Sequence, residues 1–506
     1  MSLLLGIDLG TSSIKAVLFD SDINRIVGVA GREYPINHPA PDRAEQDPDA
    51  WWQATVEVVR RVTAEAGSNA VTAISFSGQM HGTVLLGNDS KPIAPAIIWA
   101  DQRTATTVND LTATVGAEQF AATTGTLPAA GFLGVTLLWL KQHDPALLAR
   151  THKVILPKDY VRLRMTGEIA TDPSDAASSA VFDVSRRDWA SEIINKAGLP
   201  LSIFPTVRAS VAVAGYLRAE AAAELGLPAG LPVITGCGDQ PAQAIGNGLI
   251  IAGLASVTTG SGGQVFVPLS REPGQPLPTD PRLHVFNHAV PDMWFVMGAI
   301  LSAGLSLRWL RGLVGLENDP RAYPKLSAEA ATIPPGAEGL IFLPHLYGER
   351  TPHMDALARG SFIGLSAHHT RGHLARAVME GVSFALRQAL DISRTLGASA
   401  DTIIAAGGGA ESDVWRGIQA DVFGLPLQRT LLTEQASVGA ALLAGVGAGV
   451  YKDLGEACAR TVQYGPITEP DMQRHTRYDA LYSQYLELYP RLKEDFHRLA
   501  RFATSK

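Results

Sequence analysis

The sequence predicts an α/β protein built from two domains of related topology. Three observations carry that expectation. With 506 residues the chain is too long for one hydrophobic core and suits two domains of ordinary size. Residues 3–19 read as strand, Gly/Ser/Thr turn, strand, and the same pattern returns at residues 255–267. Such an echo at the start of each half is the mark of a duplicated architecture. Between the two, residues 232–247 read as a strand that turns through glycines into a helix, near mid-chain, where a cleft between two domains would fall.

Composition narrows the class. Hydrophobic residues make up 46% and charged residues 18%, the balance of a soluble globular protein. The 42 basic and 49 acidic residues leave a net charge of −7, which argues against a nucleic-acid partner and suits a cytoplasmic protein. Cys237 and Cys458 are the only cysteines, so neither a disulfide framework nor a cysteine zinc site is expected. No positively charged segment precedes the short apolar run at the N-terminus, so no signal peptide is expected. The longest apolar run, residues 439–450, has 12 residues and is too short to span a bilayer, so no membrane partner is expected either.

Taken in order, residues 3–7 and 14–19 form a hairpin around Asp8-Leu9-Gly10-Thr11-Ser12-Ser13, with Lys15 just beyond the turn. Amide and hydroxyl groups of such a tip can face an anion. Asp8 can hold Mg²⁺ through water, because that ion prefers oxygen ligands and keeps much of its hydration. An ordinary hairpin with an Asp in its turn gives the same short pattern. Asp47-Pro48 starts a helix, with Asp47 at the N-cap, and Trp51, Val58, Val59 and Val62 on its buried face. The strand at 71–76 runs into Ser77-Gly78-Gln79-Met80-His81-Gly82, where Gln79 and His81 suit hydroxyl or carbonyl groups, although a loop histidine is more often structural. Asp101 and Arg103 follow the strand 96–99 as a hydroxyl-binding pair or a surface ion pair. Lys158-Asp159-Tyr160, after the strand 154–156, and Ser174-Asp175-Ala176 shortly after are two more polar strand-end clusters.

In the central stretch, Val233-Ile234-Thr235 is the strand, Gly236 and Gly238 permit a tight open turn, and Pro241 suits a first helical turn. Asp239 fits two roles there, general base or helix N-cap. In the second half, the turn Gly260-Ser261-Gly262 mirrors the first hairpin, and Gly407-Gly408-Gly409 follows the strand 403–406. Glycines at such a turn let a base or ribose approach the backbone. No Gly-Lys-Ser/Thr follows the 407–409 turn and it is not a Gly-x-Gly-x-x-Gly after the first strand, which disfavours the two commonest nucleotide folds. At the C-terminus Tyr478, Tyr482, Tyr485 and Tyr489 form the stripe of an amphipathic packing helix, and Pro490 marks a bend or a new helix start.

These residues resemble the FGGY family of carbohydrate kinases, and within it the xylulokinases. The resemblance runs through residues 6–12, 77–82, 99–104, 156–160, 236–240 and 407–409. It includes Gly360-Ser361-Phe362-Ile363-Gly364-Leu365, His373-Leu374 and Ala377-Val378-Met379-Glu380, which match the family's second signature. Two positions depart from the pattern. Thr136 stands where the first signature has Lys before Trp139, and Gln240 stands where xylulokinases commonly have Asn.

The resemblance implies an actin-like ATPase (ribonuclease H-like) fold, two mixed sheets flanked by helices on either side of an interdomain cleft, split here into 1–247 and 248–506. It implies transfer of the γ-phosphate of MgATP to a pentulose hydroxyl, D-xylulose foremost, with another pentulose or a polyol such as glycerol as the alternative. It implies Asp239 as the base, and Met80, His81, Asp101, Asp239 and Gln240 around the sugar. Asp8 would orient hydrated Mg²⁺. Asp8, Thr11, Ser12, Lys15, Gly260, Ser261, Gly262, Gly408 and Gly409 would hold ATP, and a homodimer is the assembly it suggests. A nucleotide-driven chaperone or filament protein of the same superfamily, or a silent sugar-binding regulator, is a reading from another class. The first would need no Asp239 or hydroxyl-binding cluster, and the intact Asp8, Asp239 and glycine turns argue against the second.

Overall fold

The computed structural model describes residues 2–64, 70–272 and 275–503. Two compact units emerge. The first takes Met1–Ile250, Ser270–Phe295 and Leu432–Val462; the second takes Ile251–Leu269, Val296–Leu431 and Gln463–Lys506. The expected division at 247/248 thus lies near the first crossing only. Residues 270–295 and 432–462 return to the first unit because they bury their apolar side chains there, as Val438 and Leu442 do against Leu4, Val17 and Ile234.

The first unit is organised by the strand Leu3–Leu9. It pairs antiparallel with Ser13–Asp20 and parallel with Val71–Gly78, giving the order 213–216, 232–234, 71–78, 3–9, 13–20, 25–33. Alternation along this strand decides what covers each face. Leu3, Leu5, Ile7 and Leu9 pack with Trp51, Val58 and Val62 of the helix Pro48–Thr63, whereas Leu4 packs with Val438 and Leu442 of the helix Gln435–Gly447. Asp47 caps the first of these helices by accepting from the Asp49 amide at 2.9 Å, as its sequence predicts.

Small residues let the second helix lie unusually close. A Cβ on Gly439 would stand 2.0 Å from the Ala242 carbonyl oxygen, and one on Gly6 would stand 2.0 Å from that of Ser437. Backbone atoms cannot yield as a flexible side-chain tip can. Gly439→Ala is therefore expected to lower stability by about 1–3 kcal/mol, the usual range for overpacking. Chemical denaturation checks this, and an unchanged midpoint would show that the helix moves freely.

The second unit repeats the arrangement. Gly253–Thr259 pairs antiparallel with Gly263–Ser270 and parallel with Ala400–Ala406, which in turn pairs with Leu427–Gln428. Both sheets are mixed and flanked by helices, as the related-topology reading expects. The 25-residue helix Arg371–Thr395 supplies much of this core. Tyr478, Tyr482 and Tyr485 of the C-terminal helix gather around its Phe384 at 5.3–6.0 Å. That helix runs unbroken from Met472 to Ala503, so Pro490 neither ends it nor starts another. Among the described residues no helix is long and apolar enough to cross a membrane.

Candidate active site

The carboxyl ends of the parallel strands bring Asp8, Lys15, Asp239 and Gln240 together. Asp8 pairs in register with Ser77 and with Lys15, and Cys237–Gly238 pairs with Ser77–Gly78. Carboxyl ends of such strands are the usual place for a ligand site in open α/β sheets. A cavity of about 350 Å³ opens there, lined by Asp8, Lys15, Asp239, Gln240, Gln243, Glu434 and residues 435–437.

The N-cap of the helix Asp239–Gly246 is Gly238, in extended conformation, and the helix has no side-chain cap. Asp239 is the first helical residue instead, so the capping role does not apply. Although partly open to the cavity, its carboxyl is closely surrounded by protein. Burial above all, then the neighbouring charge of Asp8, raises its pKa to about 7, against the opposing pull of the Gln240 amides. Burial also raises the Asp8 pKa, opposed by the Ser77 hydroxyl, which donates to Asp8 Oδ1 at 2.7 Å, and by the charge of Lys15. Lys15 Nζ donates to Glu434 Oε2 at 2.8 Å. Glu434 holds a left-handed backbone (φ 53°), uncommon for a residue with a side chain.

Met80 and His81 lie on the adjoining turn. A Cβ on Gly238 would stand 2.9 Å from the Met80 sulfur, so glycine there lets the thioether pack beside the Asp239 turn. His81, also left-handed (φ 74°), stacks on Phe132 with ring centroids 4.1 Å apart, and its Nδ1 donates to the Ser178 carbonyl at 2.8 Å. Asp101 is placed differently from either expectation. It does not line the cavity, and it is fully buried rather than on the surface. Both its oxygens are engaged, by the Ala44 amide at 2.7 Å and by Arg103 at 2.8–3.0 Å.

At the hairpin tip Ser12 is exposed, while Thr11 accepts from Trp99 Nε1 at 2.9 Å and its carbonyl accepts from Gln46 at 2.7 Å. In the second unit the Gly260–Gly262 turn is braced by the Ala303, Gly304 and Leu305 amides at 2.7–3.0 Å. Its companion turn lies against it, since a Cβ on Gly407 would stand 2.8 Å from Thr259 backbone atoms. Gly408 faces open space, but Gly409 is buried on the Thr259 side chain, so its missing side chain serves packing rather than ligand access. Thr136, the departure from the first signature, is fully buried in the helix Leu133–His143.

Residues 3–246 match the N-terminal domain, and residues 255–448 the C-terminal domain, of the FGGY family of carbohydrate kinases. The chain belongs to that family. This FGGY kinase is 35% identical over 508 residues to the xylulose kinase of Lactococcus lactis subsp. lactis (strain IL1403), covering 99% of each chain. It is similar to the crystal structure of xylulose kinase from Rhodospirillum rubrum, with a TM-score of 0.91 at 33% identity, covering 98% of this chain and 100% of that one. It is as close in shape to gluconate kinase from Lactobacillus acidophilus, with a TM-score of 0.91 at 27% identity, covering 98% and 99%. Equal likeness to kinases named for different sugars means that the FGGY fold leaves the choice of acceptor to local pocket contacts.

Sequence reasoning missed Glu434 and Gln243 of the cavity. Glu434 is remote in sequence from Asp8 and Lys15, and only the return of residues 432–462 to the first unit brings it there.

Proposed function

We propose that the protein phosphorylates D-xylulose at its 5-hydroxyl with MgATP, and that Asp239 is the general base. The observation behind the base is a carboxyl with a pKa of about 7 beside Asp8 in a polar cavity. A base poised near neutrality combines ionisation with a useful affinity for the proton. The sugar oxygen attacks the γ-phosphorus as its proton passes to Asp239, the bond to the β-phosphate oxygen breaks, and ADP leaves. Such transfer asks the protein mainly for position and charge.

The full-length likeness to xylulose kinases favours xylulose among sugars. Met80, His81 and Gln240 line the sugar pocket in this reading, and Asp101 supports it from behind through Ala44 and Arg103. In the first unit Lys15, Thr11 and Ser12 are the phosphate-binding residues of this reading; in the second unit Gly260, Ser261 and Gly262 have that role, and the open Gly408 is the one for the nucleoside. Among the described residues no group of three or more His, Cys, Asp or Glu is placed to hold a metal ion directly. Asp8, whose carboxyl lines the cavity, fits a hydrated Mg²⁺ carried by ATP and met through water. Bound there, the ion would neutralise charge on the transferring phosphate. Both cysteines are free and buried, which suits a cytoplasmic setting.

A coupled ADP-release assay over D-xylulose, L-xylulose, D-ribulose, L-ribulose, glycerol and D-gluconate tests the proposal. The highest kcat/KM is expected for D-xylulose. Preference for another member would move the acceptor and keep the chemistry; stimulation by none would refute the kinase reading.

A further inference from the structure

We propose that a buried ion cluster centred on Lys158 positions the active site, acting through Ser174 on the Gly238 amide and through Ser178 on His81. The inference rests on Asp239 being the base. Lys158 is fully buried, with Nζ 2.8 Å from Asp159 Oδ1, 3.0 Å from Asp172 Oδ1 and 3.1 Å from Asp175 Oδ2. It reaches that place because a glycine lies above it: a Cβ on Gly78 would stand 2.7 Å from its own Cβ.

From this centre, hydrogen bonds run outward to the functional turns. Asp172 Oδ2 accepts from the Ser174 amide at 3.0 Å, from Ser174 Oγ at 2.6 Å and from Ser210 Oγ at 2.8 Å. Ser174 Oγ in turn accepts from the Gly238 amide at 3.2 Å, the residue from which the Asp239 helix departs. At the other end of that turn Arg162, paired with Asp159 at 2.9 Å, donates to the Thr235 carbonyl at 2.8 Å. Both ends of the 235–238 turn are therefore tied to one cluster. Asp175 extends it to the sugar side, since its carbonyl accepts from Ser178 Oγ at 2.7 Å and Ser178 Oγ accepts from the His81 amide at 3.1 Å.

A buried ion group is a poor way to gain stability, because desolvation offsets most of its attraction. What it supplies is direction. An apolar core would fill this space but would fix neither the Gly238 amide nor the His81 backbone.

Ser174→Ala tests this, with Ser210→Ala as the control. Both variants remove one hydroxyl from the same Asp172 oxygen, but Ser174 alone touches Gly238. Ser174→Ala is expected to lower kcat by at least about tenfold, the equivalent of one well-placed hydrogen bond, with the KM for ATP unchanged. Ser210→Ala, which loses one hydrogen bond where Ser174→Ala loses two, should lower the thermal midpoint by less and keep kcat within about twofold, and Ser174→Thr should restore much of kcat. Equal kcat losses in the two alanine variants, or a wild-type kcat in Ser174→Ala, would overturn the inference. Asp239→Asn, run in parallel, separates the two levels. If it is inactive while Ser174→Ala is normal, only the positioning role falls; if it is active, the base and this inference fall together.

Discussion

Asp239→Asn is expected to lower kcat by about 10²–10⁴-fold, the usual contribution of a general base, in a protein at least as stable as the wild type. The two halves of this result have one cause. The Asp239 pKa is raised from 3.8 to about 7 by burial and by Asp8. The folded state therefore disfavours the ionised carboxylate relative to the unfolded chain, so this group subtracts stability above its unfolded pKa. Replacing it with a neutral amide relieves that cost at pH 8 and relieves nothing near pH 3, where the wild-type group is protonated in both states. Wild-type kcat/KM should rise with pH through about 7 as Asp239 ionises in the free enzyme. That limb should vanish in the variant. Near-normal turnover, or an acid limb that survives in Asp239→Asn, would remove Asp239 from its role.

The route to this residue shows what local sequence conveys. The strand–turn–helix of 232–246 was readable from β-branched residues, glycines and Pro241, because each constrains its own backbone. Whether Asp239 capped that helix was not readable. The boundary depends on Gly238 taking the extended conformation, one residue earlier than an Asp cap would need. Likewise Asp101 and Arg103 read as a pair, but burial depends on Ala44 and Glu45 folding over them from a distant segment. Glu434 left no local signal at all. Nor does the Gly/Ala-rich run 439–450 name its partner, although its small residues are what let Gly439 meet Ala242 so closely. Sequence patterns declare which faces are small or apolar; they do not declare the partner.

The cluster beneath the site gives the second large effect, this time on stability. Lys158→Met is expected to cost about 3–5 kcal/mol at pH 7, the usual result of leaving buried charges without their partner. For a unit of this size that corresponds to a fall in thermal midpoint on the order of 10 °C. In the wild type the Asp159 carboxyl is held below its ordinary 3.8: burial raises it, but Lys158 and Arg162 together more than offset that. Burial, reinforced by Asp159 and Asp172, instead holds Asp175 well above the ordinary carboxylate range, so it contributes little negative charge. Without Lys158 the remaining carboxylates must bind protons to stay buried. The variant's native state then binds more protons than its unfolded chain, and its stability falls as pH rises. The wild-type Asp159 behaves oppositely, adding stability above its unfolded pKa and losing it as pH falls through its lower folded value. The raised Asp175 is protonated in both proteins, so between pH 7 and pH 4.5 the gap should narrow only through the extra protons that the variant's other carboxylates bind. The wild-type loss from Asp159 adds to this only below about pH 3.8. Thermal unfolding across that range checks it. A gap that stays constant would mean that Lys158 acts through the packing of its methylene chain rather than through its charge.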